Sequence, residues 1–140
     1  MKDGKYFKFS EFVKSDTADR HNIDNYPKSA EIISNIFDVI IVMDKVRTLW
    51  KEQIIVTSGY RCDELNELVG GAENSGHKYG NAADLITTNG RTAELFEFMK
   101  QFLKDNNIQF DELILEDGWI HFSLKSWKNE HRKKVLILQN

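Results

Sequence analysis

Two histidines and one aspartate carry the most specific chemistry in this sequence. The stretch Ser75-Gly76-His77-Lys78-Tyr79-Gly80-Asn81-Ala82-Ala83-Asp84 sets an imidazole and a carboxylate among small residues, and Gly118-Trp119-Ile120-His121-Phe122-Ser123 supplies a second imidazole much later. Hydrolytic zinc sites take three protein ligands of His and carboxylate type and keep a fourth position open for water. His77, Asp84 and His121 are such a set, provided the fold brings them together.

Side-chain alternation along strands indicates that it can. In Trp119 to Leu124 the residues Ile120, Phe122 and Leu124 form an apolar face, so His121 projects to the opposite face with Trp119 and Ser123. In the segment Asn81 to Thr87, Ala82, Asp84 and Ile86 share a face, and the small Ala82 leaves room beside the carboxylate. A hydrolytic site also needs a base for its water. Reading Asp117-Gly118 as a two-residue type I′ hairpin turn puts Glu116 opposite Trp119 and on the face of His121. The diagonal Cα separation of Glu116 and His121 would be about 7 to 8 Å, within reach of a Glu side chain acting on water at the metal. Asp117, in the turn, is less well aimed.

The elements that must position these residues follow from periodicity and punctuation. Ser10 is expected to cap a short helical turn at Glu11-Phe12-Val13. Ser29 is expected to cap a long helix carrying Ile32, Ile33, Ile36, Phe37, Ile40, Ile41, Met43 and Val46 and ending near Trp50. Ile54 to Ser58 reads as a strand stopped by Gly59, Asp63 to Val69 as a short helix ended by Gly70-Gly71, and Ala72 to Tyr79 as a loop. Thr92 is expected to cap a helix with Leu95, Phe96, Met99, Phe102 and Leu103 on one face. Glu112 to Glu116 and Trp119 to Leu124 read as a hairpin, and Val135 to Leu138 as a last strand. The expected fold is α+β: an antiparallel sheet with helices packed on one face and the zinc site on the other, in a single domain spanning 1–140.

Composition narrows the functional class. With 41% hydrophobic and 29% charged residues the chain reads as an ordinary soluble globular protein. The formal charge of -3, from 22 acids against 19 bases, leaves no electrostatic footprint for nucleic acid or anionic membrane. Cys62 is the only cysteine, so an intramolecular disulfide is excluded. The charged start from Met1 to Lys8 lacks the apolar core of a signal peptide, and no apolar run is long enough to span a bilayer. The expectation is a monomer made in the cytoplasm, with any export supplied by another route.

The stretch 75–84 resembles the LAS metallopeptidases, which comprise zinc D-Ala-D-Ala carboxypeptidases, phage endolysin peptidases and the hedgehog signalling domain. Their pattern S-x-H-x-x-G-x-A-x-D is matched at every fixed position. Ser58-Gly59-Tyr60-Arg61 and Asn66 resemble the family's S-G-Y-R stretch, and Trp119-Ile120-His121 its closing strand, so the likeness runs from Ile54 to Leu124. The resemblance implies zinc on His77, Asp84 and His121, with Arg61 orienting substrate or steadying the developing oxyanion. Many members place the catalytic acid three residues before the last His, where this chain has Gly118, while others, such as the hedgehog domain, place it further back. Glu116 is the replacement.

The resemblance also implies hydrolysis of peptidoglycan stem peptides, most readily as a D-Ala-D-Ala carboxypeptidase. The alternatives are an endolysin-type L-Ala-D-Glu endopeptidase and a non-catalytic zinc-stabilised wall-binding or phage structural module. Arg61 taken alone could be a surface cation paired with Asp63 or Glu64. Tyr79 and Trp119 are candidates for substrate contact or for packing, and Ser75 for substrate contact or for holding its loop. His21, His131 and Cys62 have no ligand spacing or catalytic partner.

Overall fold

The computed structural model describes residues 3–138. Met1 and Lys2, part of the charged start, lie outside the described residues. The polar opening folds into two short helices, α1 (Phe9–Val13) and α2 (Asp16–Arg20). Ser10 lies inside α1 and does not cap it; Glu11 Oε1 accepts from the Lys8 N–H at 2.9 Å and starts the helix earlier. Helix α2 was not anticipated, because a single turn is too short to show a helical period. Its cap is Ser15, whose Oγ accepts from Ala18 N at 3.1 Å.

The long helix α3 (Ala30–Trp50) begins at Ser29, whose Oγ accepts from Ile32 N at 3.4 Å. It buries Ile36, Val39, Ile40, Met43 and Val46. The N-terminal segment is tied to it through Asp44, whose carboxylate accepts from the backbone N–H groups of Lys5, Tyr6 and Phe7 at 2.7, 3.0 and 3.2 Å. Then follow β1 (Ile54–Ser58), α4 (Asp63–Leu68), a 3-10 turn (Gly76–Tyr79), β2 (Ala82–Thr87), α5 (Thr92–Asp105), β3 (Glu112–Leu115), β4 (Ile120–Ser123) and β5 (Lys134–Ile137). Arg91 occupies the N-cap of α5, not Thr92, whose hydroxyl accepts from Thr87 N at 3.1 Å and so joins the helix to the end of β2.

The five strands form one sheet in the order β1-β2-β4-β3-β5. The first four pair antiparallel as expected, and β5 adds alongside β3 in parallel, making the sheet mixed. One face is closed by Ala83, Leu85, Leu113, Leu115, Ile120 and Phe122, which share a buried cluster with Met43, Leu95, Phe96, Met99 and Leu103 of the helices. Truncating one of the fully buried leucines, Leu95→Ala, would cost about 2 to 5 kcal/mol by leaving a cavity. Burying this face turns every alternate residue of the same strands outward, away from the helices.

The hairpin turn differs in type from the expectation. A type I′ turn needs positive φ at both central residues, and positive φ occurs at Gly118 (+101°) but not at Asp117. Gly118 N donates to Glu116 O at 2.9 Å, closing a tighter turn centred on Asp117. The register survives: Leu115 pairs with Ile120, and Glu116 N donates to Trp119 O at 2.8 Å.

Candidate metal centre

Two of the three donors are placed by strand register alone. Asp84 of β2 and His121 of β4 are direct partners, and His121 is in turn the partner of Ile114 in β3. Direct partners project to the same side of the sheet, here the side away from the helices. A bulge between Val56 and Ser58 in β1 brings Ser58 opposite Asp84 on that side as well.

His77 arrives from the 3-10 turn, which a set of local bonds shapes. Ser75 Oγ accepts from His77 N at 3.2 Å, and Asn35 Nδ2 donates to Tyr79 O at 2.9 Å. Gly80 ends the turn at φ +76°, and a Cβ there would sit 2.7 Å from Ile32 O, so both backbone conformation and space demand glycine. His77 is buried, with Nδ1 2.7 Å from Gly59 O. A carbonyl can only accept, so Nδ1 carries the hydrogen and the Nε2 lone pair is free.

The free edges of the rings converge. His77 Nε2 and His121 Nδ1 lie 3.2 and 3.1 Å from the same atom, Asp84 Oδ1, and the three donor atoms all lie within 4.8 Å of one another. Two imidazole nitrogens and a carboxylate oxygen, reached from a turn and two strands, fit a zinc ion that keeps one position open. Burial by itself would raise the Asp84 pKa, but its contacts with His121 and His77 outweigh that and hold the carboxyl well below the usual range. Burial likewise opposes a charged His121, yet Asp84 and Glu112 push its pKa up to about 9.

Glu112 is a site residue that the sequence reading missed. Its Oε1 lies 3.4 Å from His121 Nε2, the nitrogen turned away from the other donors. Its pKa is lowered chiefly by that contact, against the opposing effect of burial. The signal was present in the alternation: Glu112 lies two residues before Ile114, the partner of His121, and is therefore its diagonal neighbour. Glu116, one residue past the end of β3, is half-buried, and its hydrogen bonds among the described residues run through its backbone.

Arg61 lies beside this centre. Its backbone N donates to His77 O at 3.0 Å and its guanidinium donates to Ser75 Oγ at 3.3 Å. Nε is buried without a protein partner among the described residues. Burial lowers the Arg61 pKa, and the nearby Asp84 works to raise it. Asp63 is paired instead with Lys78, at 3.2 Å. Asn25 holds the chain on both sides of Arg61: its Nδ2 donates to Tyr60 O at 2.9 Å, and its Oδ1 accepts from Cys62 N at 2.8 Å. Nothing in the polar segment around Asn25 marked it beforehand, since the contact exists only through the fold.

Of the remaining candidates, Ser75 is engaged with Arg61 and His77, Tyr79 is half-buried, and Trp119 is exposed. A cavity of about 590 Å³ adjoins Arg61, walled among others by Lys14, Asp16, Val56, Tyr60 and Leu65. The three donors do not line it; Ser58 and Arg61 connect it to their side of the sheet. His131 is exposed and bonded to Leu124 O, His21 caps α2, and Cys62 is a half-buried free thiol.

An α+β domain with helices on one face of its sheet and a His-Asp-His donor set on the other has the arrangement of a metallopeptidase. The family model described as Peptidase M15 matches residues 5–123. The chain belongs to that family, whose members are zinc-binding metallopeptidases of the LAS/DD-carboxypeptidase type. No curated protein matches the chain significantly. The family match begins well before Ile54, where the recognisable motifs start, and so includes α1, α3 and Asn25, which support the site without carrying motif residues.

Proposed function

We propose that this M15 peptidase hydrolyses peptidoglycan stem peptides and that it acts on a chain end, as a D-Ala-D-Ala carboxypeptidase. The observation that carries the proposal is Arg61, a half-buried guanidinium held by Ser75 beside the His-Asp-His donors. A planar cation next to a hydrolytic centre suits the terminal carboxylate of a substrate, or the charge that develops on its carbonyl oxygen.

A zinc ion held by His77, Asp84 and His121 would supply Lewis acidity at the scissile carbonyl and acidify the attacking water toward neutral pH. Glu116, aimed to the same side of the sheet, takes the proton from that water and returns it to the leaving amine. Ser75 fixes Arg61 by accepting from its guanidinium. Trp119, exposed on the His121 side, and Tyr79 offer apolar contact to the peptide. An endolysin-type cut between L-Ala and D-Glu is the neighbouring possibility within the same chemistry, and phage lysis or export would bring the protein to the wall.

The experiment is incubation of zinc-loaded protein with purified muropeptides, with products read by mass. Loss of a single terminal alanine is expected. Cleavage inside the stem would move the assignment to an endopeptidase, and intact muropeptides despite verified zinc loading would favour a wall-binding module without turnover.

A further inference from the structure

We propose that Glu112 is a positioning residue for the metal centre, holding His121 with Nδ1 toward the ion, and that the segment bearing Arg132 and Lys134 anchors its carboxylate. The inference rests on the metal reading of His77, Asp84 and His121. It goes beyond that reading because it concerns residues that do not touch the ion, two of which lie past residue 123, where the family match ends.

The geometry is set by two registers. Glu112 pairs with Ser123 across the β3–β4 ladder, diagonal to His121, and pairs with Lys134 across the parallel β3–β5 ladder. Its two oxygens therefore face different ways. Oε1 lies 3.4 Å from His121 Nε2, while Oε2 lies 3.8 Å from both the Arg132 guanidinium and Lys134 Nζ. Arg132 is itself held by Asp111, accepting oxygens of that buried carboxylate standing 2.8 Å from Nε and 2.8 Å from the terminal nitrogen.

An imidazole can present one nitrogen to a metal only if the other carries the hydrogen, and an acceptor beside that second nitrogen selects the tautomer and the ring angle. Gly59 O does this for His77. Glu112 does it for His121, and the two cations behind it keep the carboxylate from swinging away to solvent. Glu116 has no such brace among the described residues and stays available as a base. The two glutamates on either side of Ile114 thus divide the work.

The test measures zinc affinity by chelator competition and the absorption spectrum of the cobalt(II)-substituted protein, for the full chain and for Glu112→Ala, Glu112→Gln and Lys134→Ala. Glu112→Ala should weaken zinc binding by about ten- to hundredfold and change the cobalt spectrum, with a drop in the melting temperature of the metal-free protein too small to account for that loss. Glu112→Gln keeps an acceptor oxygen and should recover part of the affinity; Lys134→Ala should cost less than either. Unaltered zinc affinity and cobalt spectrum in Glu112→Ala would overturn the inference while leaving the metal site standing. A drop in the metal-free melting temperature that fully accounts for the lost affinity would overturn it too, reducing Glu112 to a fold-stabilising role. Failure of the unmutated protein to bind zinc would instead remove the metal reading, and this inference with it.

Discussion

Asp84 and His121 stand directly opposite each other across the β2–β4 ladder, and Asp84 Oδ1 lies between the two imidazoles at 3.1 Å from His121 and 3.2 Å from His77. The sheet itself therefore builds two thirds of the donor set, and one short turn supplies the rest. His77→Ala or His121→Ala should each remove most of a single bound zinc, because two ligands cannot enclose the ion. Metal analysis showing full occupancy in both variants would refute the assignment. Chelation should also lower the melting temperature, since zinc bound only by the native state stabilises it.

Zinc uptake should release protons. The His121 pKa in the metal-free protein is pushed up to about 9, so at neutral pH the ring is charged and must lose its proton before Nδ1 can bind metal. Zinc affinity should rise with pH from neutrality and level off above about 9. Titration calorimetry in buffers of different ionisation enthalpy measures the protons released; none at pH 7 would contradict this.

Replacing Arg61 by Lys keeps the charge but loses the planar fork and the contact to Ser75. Hydrolysis should fall by about tenfold or more, the weight of one lost charge-assisted hydrogen bond at about 1.5 to 3 kcal/mol, with zinc retained. Near-normal turnover of the Lys variant would make Arg61 a structural residue.

Glu116→Gln should keep fold and zinc while cutting hydrolysis by roughly a hundredfold or more, the usual contribution of a positioned base. Asp117→Asn, at the exposed centre of the turn, should do far less. The opposite ranking in steady-state assays would transfer the role to Asp117.

The Asp111–Arg132 pair sets an acid-sensitive part of stability. Burial alone would raise the Asp111 pKa, but hydrogen bonds from Arg132 outweigh it and lower the value. A carboxyl whose pKa is lower folded than unfolded stabilises above its unfolded value, about 3.9, and loses that contribution as pH falls through the folded one. Asp111→Asn should therefore cost about 1 to 3 kcal/mol at neutral pH. Denaturation curves should show the gap narrowing below about pH 4; a constant gap would rule this linkage out.

Much of the centre was legible in the residue order. Alternation in Trp119 to Leu124 placed His121 away from the core, and the spacing of His77, Gly80, Ala82 and Asp84 marked a ligand loop. These are short-range consequences of strand pleat and turn length, so neighbouring residues suffice to reveal them. The strand register expected across the turn holds even though the turn is not type I′, because register depends on the number of residues in the turn more than on their dihedral angles.

Only the tertiary structure decided the rest. That Glu112 reaches His121, that Arg132 and Lys134 stand behind it, and that Asn25 pins the chain around Arg61 all depend on which strand lies beside which and on where the N-terminal segment docks. Strand β5, which runs parallel to β3, brings Lys134 opposite Glu112 through a connection whose path no local pattern specifies. Residue types and spacing determine which groups can bind a metal, whereas the orientation and tautomer of each ring depend on acceptors that packing delivers from distant parts of the chain.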